Sequence, residues 1–557
     1  MALPPPAWYP CVLARLSRQT PQDSAANPSE LVNLLNHIAS FMRASTIPCR
    51  LGRQALCVGL ITASLTGCVR EPMSDPIAPS TNGHGIYGQV TADGKAVEGA
   101  QVRIKGTPLN TRSAADGSFE FDVCLDVENP QVITGSKTGY FIQGQTAETL
   151  PVALNLEALP TYDDESYEWV DPTPDETASL NCGNCHPQIY EEWKSGGHAS
   201  SATNPHFLNL YNGTDWHNNP DVGWNLLKDY PEGAGVCNAC HAPAASIDDL
   251  AVSNIQDLDG VAKHGVHCDF CHKIQDTAIG TPGLTHGRFG MSLLRPSHDQ
   301  LFFGPLDDVD RGEDVYSPLQ SQSQFCASCH EGIVFGVHVY STYSEWLESP
   351  ARQEGKQCQT CHMRPTGEMT NIAPDHGGID RDPLTLASHQ LLSGSREEML
   401  ADCLKVNATL EHVNDAAVVR VTIRTENVGH RVPTGFIDRH LILAVEAFDD
   451  PEATSEVELK EGPTLPVAAG NLATKPGKLF AKQLKNAQEP KPFWSMSGEL
   501  IDTRLQPDAT EVQDFFFPAK TQRVRVRLIY RPFWQEVATQ KQWPNDEIMV
   551  FDKTLGD

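Results

Sequence analysis

The chain has 557 residues and a formal charge of −29, too long for one hydrophobic core. The acidic excess excludes nucleic acid as a partner, because neutralising a phosphate backbone needs a basic face. Its 16 cysteines are many for the length but fall short of disulfide-scaffold density.

The first element is an apolar run, Ala55–Leu65, behind Arg43, Arg50 and Arg53. A basic flank before an apolar run too short to span a bilayer predicts an export signal. The run ends in Leu65-Thr66-Gly67-Cys68, which resembles a bacterial lipobox. The resemblance implies that residues 1–67 are signal region and that Cys68 becomes the lipidated N-terminus. Met42 is a candidate start, with 1–41 outside the translated protein. Val69 in place of Asp implies the outer membrane. The expected protein is an exported outer-membrane lipoprotein, facing the periplasm or the cell surface, with 68–83 as a linker.

Residues 84–157 predict a β-sandwich. "IYGQVTADGKAVEGAQVRIKG" alternates and turns at Asp93-Gly94, "SAADGSFEFDV" turns at Asp116-Gly117, and "TGYF" closes the pattern. The stretch is similar to carboxypeptidase-regulatory-like domains, which implies seven strands and a spacer or docking role without catalytic residues. The acidic, proline-containing segment 158–179 lacks an apolar period and predicts a linker.

Five motifs follow: Cys182-Gly-Asn-Cys185-His186, Cys237-Asn-Ala-Cys240-His241, Cys268-Asp-Phe-Cys271-His272, Cys326-Ala-Ser-Cys329-His330 and Cys358-Gln-Thr-Cys361-His362. A histidine directly after all five pairs has a chance probability on the order of one in ten million, which favours c-type haem attachment over zinc knuckles or redox dithiols. Two thiols three residues apart on one helical turn reach both vinyl groups of a porphyrin, and the adjacent imidazole meets the iron. The expected cofactors are five covalently attached haems c, with His186, His241, His272, His330 and His362 as proximal ligands. The stretch is rich in Gly, Pro, Ser and Asp, so the porphyrins themselves must supply core. Short helices at the motifs and long irregular loops are expected over 180–399. The motif intervals of 55, 31, 58 and 32 residues hint at a duplicated two-haem unit, and "YEEWKS" resembles "YSEWLES" at a different offset.

Ten further histidines lie between the first motif and residue 400, twice the number needed for a second ligand on every iron: His198, His206, His217, His264, His267, His286, His298, His338, His376 and His389. Surface positions account for half. His198 leads, since Trp193 and the short "SGG" put it on a loop able to close over a porphyrin; His389 follows. One of His264 and His267 reaches a neighbouring haem, because His267 cannot turn back on its own. His286, His298, His338 and His376 complete the distal candidates, with Met291, Met363 and Met369 as minor alternatives.

"CGNCHPQIYEEWKSGGHA", "GVHCDFCHK", "FCASCHEG", "YSEWLESP" and "CQTCHM" resemble the multihaem cytochromes of the cytochrome c-554-related group, over roughly 180–400. The resemblance implies mostly bis-His haems in closely packed pairs and points to His198 as a distal ligand. The group includes both carriers and enzymes, so kinship does not choose between them.

Residues 400–557 return to β. "AVVRVTIRTENVGH" and "RVRVRLIY" alternate, and "HLILAVEAF" is a buried strand, predicting a second sandwich. "GHRVPTG" resembles a segment of C-terminal domains in multihaem cytochromes, which makes His430 a candidate ligand from outside the haem region. A Cys124–Cys403 bond between the flanking domains is conceivable in an exported protein. The fold class expected is multidomain: two β-sandwiches flanking a haem-packed, mainly α and irregular cytochrome domain. The leading function is electron transfer with periplasmic or outer-membrane redox proteins. The alternatives are a reductase or oxidase of a small nitrogen or sulfur species with one open haem, and an assembly module.

Overall fold

The computed structural model describes residues 85–556, apart from 127, 232–236, 246–253, 279–282, 335, 394–395, 485–489 and 496–499. Cys68, the apolar run before it, Met42 and the 68–83 linker lie outside the described residues. Among the described residues no helix is long and apolar enough to cross a membrane. The described residues gather into one unit. It has β-rich N- and C-terminal regions and a central region of short helices and irregular chain.

Among the described residues the N-terminal region holds eight strands, where seven were expected, in two sheets of four. Gly85–Ala92 pairs with Lys95–Ala96, Ser118–Cys124 and, in parallel, Val152–Asn155. The other sheet runs Asn110–Arg112, Gln101–Ile104, Val132–Ser136, Gln143–Thr146. Period-two alternation turns Ile86, Val90, Phe119, Phe121 and Leu154 of one sheet towards Val102, Ile104 and Ile133 of the other, in one apolar cluster. Asp93 and Gly94 have φ of 48° and 72°, the left-handed pair that a two-residue hairpin of right-handed twist demands.

In the C-terminal region Leu404–Val413, Ala416–Thr425 and Thr510–Pro518 form a three-stranded sheet. Five strands form the second, in the order Leu500–Asp502, Gly477–Leu484, His440–Phe448, Arg523–Arg531, Ile548–Leu555. The continuous apolar run of His440–Phe448 has a physical reason: both its faces are covered. Leu441, Leu443 and Val445 join Val419, Val421 and Phe515 of the three-stranded sheet. Ile442 and Ala444 meet Leu210, Tyr211 and Leu226 of the central region. The C-terminal sheet is thus the seat of that region.

Three contacts fix the parts together. Arg103 donates Nε and Nη2 to Asp307 at 2.6 and 2.9 Å, Lys105 pairs with Asp310 at 2.5 Å, and Asp308 accepts from the Gly106 amide at 2.8 Å and from Arg381. The N-terminal sheets are therefore docked on the central region. At the other end the Lys541 ammonium, wholly buried, donates to the carbonyls of Asn209 (2.8 Å), Thr214 (3.0 Å), Trp224 (2.7 Å) and Val222.

The acidic segment 158–179 has no helix or strand, yet it is packed. Tyr167 OH and the Val170 amide both donate to buried Asp269, and Trp169 lies edge-on to His267 at 5.6 Å. A Cβ at Gly183 would meet Pro174 Cγ at 2.6 Å, so the segment closes directly over the first motif. Cys124 and Cys403 are both free, one exposed on a strand end and one beside Leu400, so the conceived interdomain bond is absent.

Candidate functional site

The motifs fold as short helices: Cys182–Cys185, Asn238–His241, Cys268–Cys271, Gln324–His330 and Cys358–His362. Each is one or two turns, enough to hold both thiols on neighbouring positions.

Four of the five motif histidines are fixed from behind. Nδ1 of His186 bonds the Ile372 carbonyl at 2.6 Å, His241 that of Ser201 at 2.8 Å, His272 that of Phe303 at 2.5 Å and His362 that of Leu392 at 2.5 Å. A carbonyl only accepts, so each Nδ1 carries the proton and each Nε2 keeps its lone pair. That is the tautomer a metal-ligating imidazole needs, with its orientation set by the second bond. Burial pulls the ring pKa down for His186, His241 and His272, the carbonyl bonds opposing it.

Opposite two of these rings stands a second imidazole. His198 and His330 have ring centres 6.1 Å apart, and His362 and His430 have theirs 6.2 Å apart with planes 21° from parallel. Two metal–imidazole bonds of about 2 Å, plus roughly 1 Å from each nitrogen to its ring centre, separate axial ligands by about 6 Å. The gap is the one an iron would fill. His198 is pushed down to about 4 by burial, and His330 to about 3 by burial and then by His198. Both are neutral and free to bind metal at ordinary pH. His389, at about 4 by burial, stands near His272. The Nδ1 atoms of His198 and His389 are buried without a hydrogen-bond partner. Unpartnered buried ring nitrogens are costly unless something else takes the lone pair, so the donor set fits covalently held haem.

The other distal candidates divide. His267 is fully buried, its Nδ1 capping the third motif helix at the Phe270 amide (3.4 Å) while Nε2 has no partner. His286 keeps an unpartnered Nδ1 beside the second motif, where a Cβ on Gly287 would meet Cys240 Sγ at 2.7 Å. His376 is exposed but close enough to His186 to bear on its charge. His264 sits at the surface beside Asp171 at 3.4 Å, and His338 beside Glu331 at 2.9 Å. His217 and His298 are exposed. His206 packs among Trp216, Phe533 and Trp543 and faces Asp546. The ring stacked on His241 is Phe207, at 3.8 Å and 9° from parallel.

Thiols of different motifs meet, and this gives the motifs a spatial order that spacing alone cannot. Cys182 lies within hydrogen-bonding reach of Cys268, Cys326 of Cys358, and Cys329 of Cys240. Cys271 lies near Cys329. The first motif therefore neighbours the third, and the fourth neighbours the second, third and fifth. The contact between the fourth and fifth motifs joins two that are close in the chain, whereas the first reaches the third past the second.

Residues 181–273 match the family of cytochrome c554 and c-prime. The fold is similar to that of a penta-haem cytochrome c552 from Thermochromatium tepidum, at 24% identity and a TM-score of 0.50, covering 67% of this chain and 97% of that one. The family match, the shared fold and the five Cys-x-x-Cys-His motifs together support a multihaem c-type cytochrome.

Proposed function

We propose that the protein is an exported, lipid-anchored pentahaem cytochrome that carries electrons through mostly bis-His irons. Bound haem supplies an iron that alternates between ferric and ferrous states. Everything else falls to the chain. The ten motif cysteines, Cys182 to Cys361, hold the porphyrins covalently, and the motif histidines bind from one side. His198 closes the fourth site, His430 the fifth and His389 the third. The observation that carries this reading is the pair of opposed imidazoles at 6.1 and 6.2 Å, because two strong-field nitrogens leave an iron no room for substrate.

The thiol contacts make the fourth site the junction of the chain, with the first site reached through the third. Net charge of −29 would steer basic redox partners of the periplasm or outer membrane. Both terminal regions act as β-sandwiches that dock and frame the haem region, and Cys68 carries the lipid.

The alternative reading is a reductase or oxidase of a small nitrogen or sulfur species, with one iron left open to substrate. Electron paramagnetic resonance of the oxidised protein separates the two. Low-spin signals for all five haems support the carrier; one high-spin haem that binds cyanide or nitrite supports the enzyme. Mass measurement of the mature N-terminus checks the anchor, since an unmodified start elsewhere than Cys68 removes it.

A further inference from the structure

The segments Tyr190-Glu-Glu192-Trp193 and Tyr343-Ser-Glu345-Trp346 share a pattern, and the structure gives both the same contacts. Tyrosine and tryptophan rings pack at 5.8 Å in the first and 5.6 Å in the second. The Trp193 indole donates to the Val266 carbonyl at 2.9 Å, two residues ahead of Cys268. The Trp346 indole donates to the Lys356 carbonyl at 2.8 Å, two residues ahead of Cys358. Their different offsets from the preceding motif have a simple cause: the hairpin Glu331–Val334 with Val337–Ser341 is inserted after His330, whereas Pro187–Lys194 follows His186 directly.

The glutamates are the telling part. Each is only 8% exposed, and a buried carboxylate is costly unless donors surround it. Glu192 accepts from the His389 amide at 2.7 Å and the Ser388 hydroxyl at 3.0 Å. Glu345 accepts from the Arg431 amide at 3.1 Å and the Thr434 hydroxyl at 2.8 Å, and is balanced by Arg504 at 2.7 Å. The chain around His389, and around His430 to Arg431, is neither helix nor strand. Its position therefore depends on such side-chain bonds, and charge-assisted ones are the strongest available.

We propose that Glu192 and Glu345 are positioning residues, each suspending the loop that presents a distal histidine: His389 for the third iron, His430 for the fifth. This rests on the reading of those two histidines as ligands. Each unit then consists of a Tyr-x-Glu-Trp helix whose tryptophan sets the approach to one haem motif and whose glutamate sets the ligand on the far side of the same haem. The two units are the first and third motifs, and the fourth and fifth.

The test uses the full haem-loaded protein. His389→Ala and His430→Ala should each turn one haem high-spin. Glu192→Ala should give a high-spin signal of roughly a tenth or more of one haem, at the haem affected by His389→Ala and no other. Glu345→Ala should do so at the haem affected by His430→Ala. Added imidazole should restore the low-spin state, and Glu→Gln, which keeps an acceptor oxygen in place, should largely retain it. Low-spin spectra in both histidine variants overturn the ligand reading beneath. High-spin histidine variants with fully low-spin Glu→Ala variants overturn the positioning role alone. Should a Glu→Ala chain fail to accumulate, Ser388→Ala and Thr434→Val decide. Each should raise imidazole affinity at its own haem about tenfold, and an unchanged affinity assigns the glutamates a general structural role and defeats the proposal.

Discussion

His198 and His330 lie with their ring centres 6.1 Å apart and their planes at 60°, so a loop from the first motif segment closes over the fourth. His198→Ala is expected to convert one haem to high spin. Because the fourth motif touches three others, the same change should slow electron exchange throughout the chain rather than at one end. Visible and paramagnetic spectra, with stopped-flow reduction, check both; an unchanged spectrum removes His198 from the ligand set.

Lys541 is a stability prediction of another kind. Its ammonium lies within hydrogen-bonding distance of four carbonyls, to be shared among three N–H donors, and leaving buried acceptors unmet costs roughly 1–3 kcal/mol apiece. Lys541→Met is therefore expected to lose at least about 3 kcal/mol, read by denaturant unfolding, and to open 209–224 to proteolysis. Equal stability of the variant and parent chains would show that water serves those carbonyls as well.

Asp438 gives a pH dependence. Its carboxyl is buried, and burial, opposed in part by the nearby Trp534 indole, raises it from 3.8 to about 8. A proton held more tightly when folded stabilises the fold fully below the lower value. That contribution is lost as pH rises towards the upper one. Stability should thus decline between about pH 4 and pH 8 on account of this group. Asp438→Asn keeps the neutral shape and should flatten that part of the profile, measured by thermal unfolding across the range.

The docking of the N-terminal sheets is expected to hinge on Asp308, whose 1% exposure leaves little water to replace it. Asp308→Ala strips a partner from Arg381 and from the Gly106 amide, at a cost of about 3–5 kcal/mol for a broken buried pair. Calorimetry should then show residues 85–156 melting as a separate, earlier transition. A single unshifted transition would mean that Arg103 and Lys105 suffice.

Much of this was legible from the chain. The five motifs announced themselves, His198 and His389 stood out beside them, and alternation placed both β regions with their turns. His430 could be named but not justified, since only the tertiary fold brings Ala351 and Trp346 against Gly429 and His430 over His362. The segment 158–179 reads as a linker because acids and prolines dominate it; its anchors, Tyr167 and Trp169, are too few to make a period. The Tyr-x-Glu-Trp repeat was visible, but its offsets disguised it until the inserted hairpin explained them. Lys541 left no signal, because a lone lysine is ordinarily a solvated one.

That last residue also sets a timetable. The segment carrying Asn209, Thr214, Val222 and Trp224 is made more than three hundred residues before the ammonium that closes it. However early the first cysteines are charged with cofactor, their surroundings remain unfinished until Lys541 has been delivered. Maturation of the second motif's flank therefore waits on a residue far downstream, and loss of the segment around Lys541 should be felt most at a site made long before it.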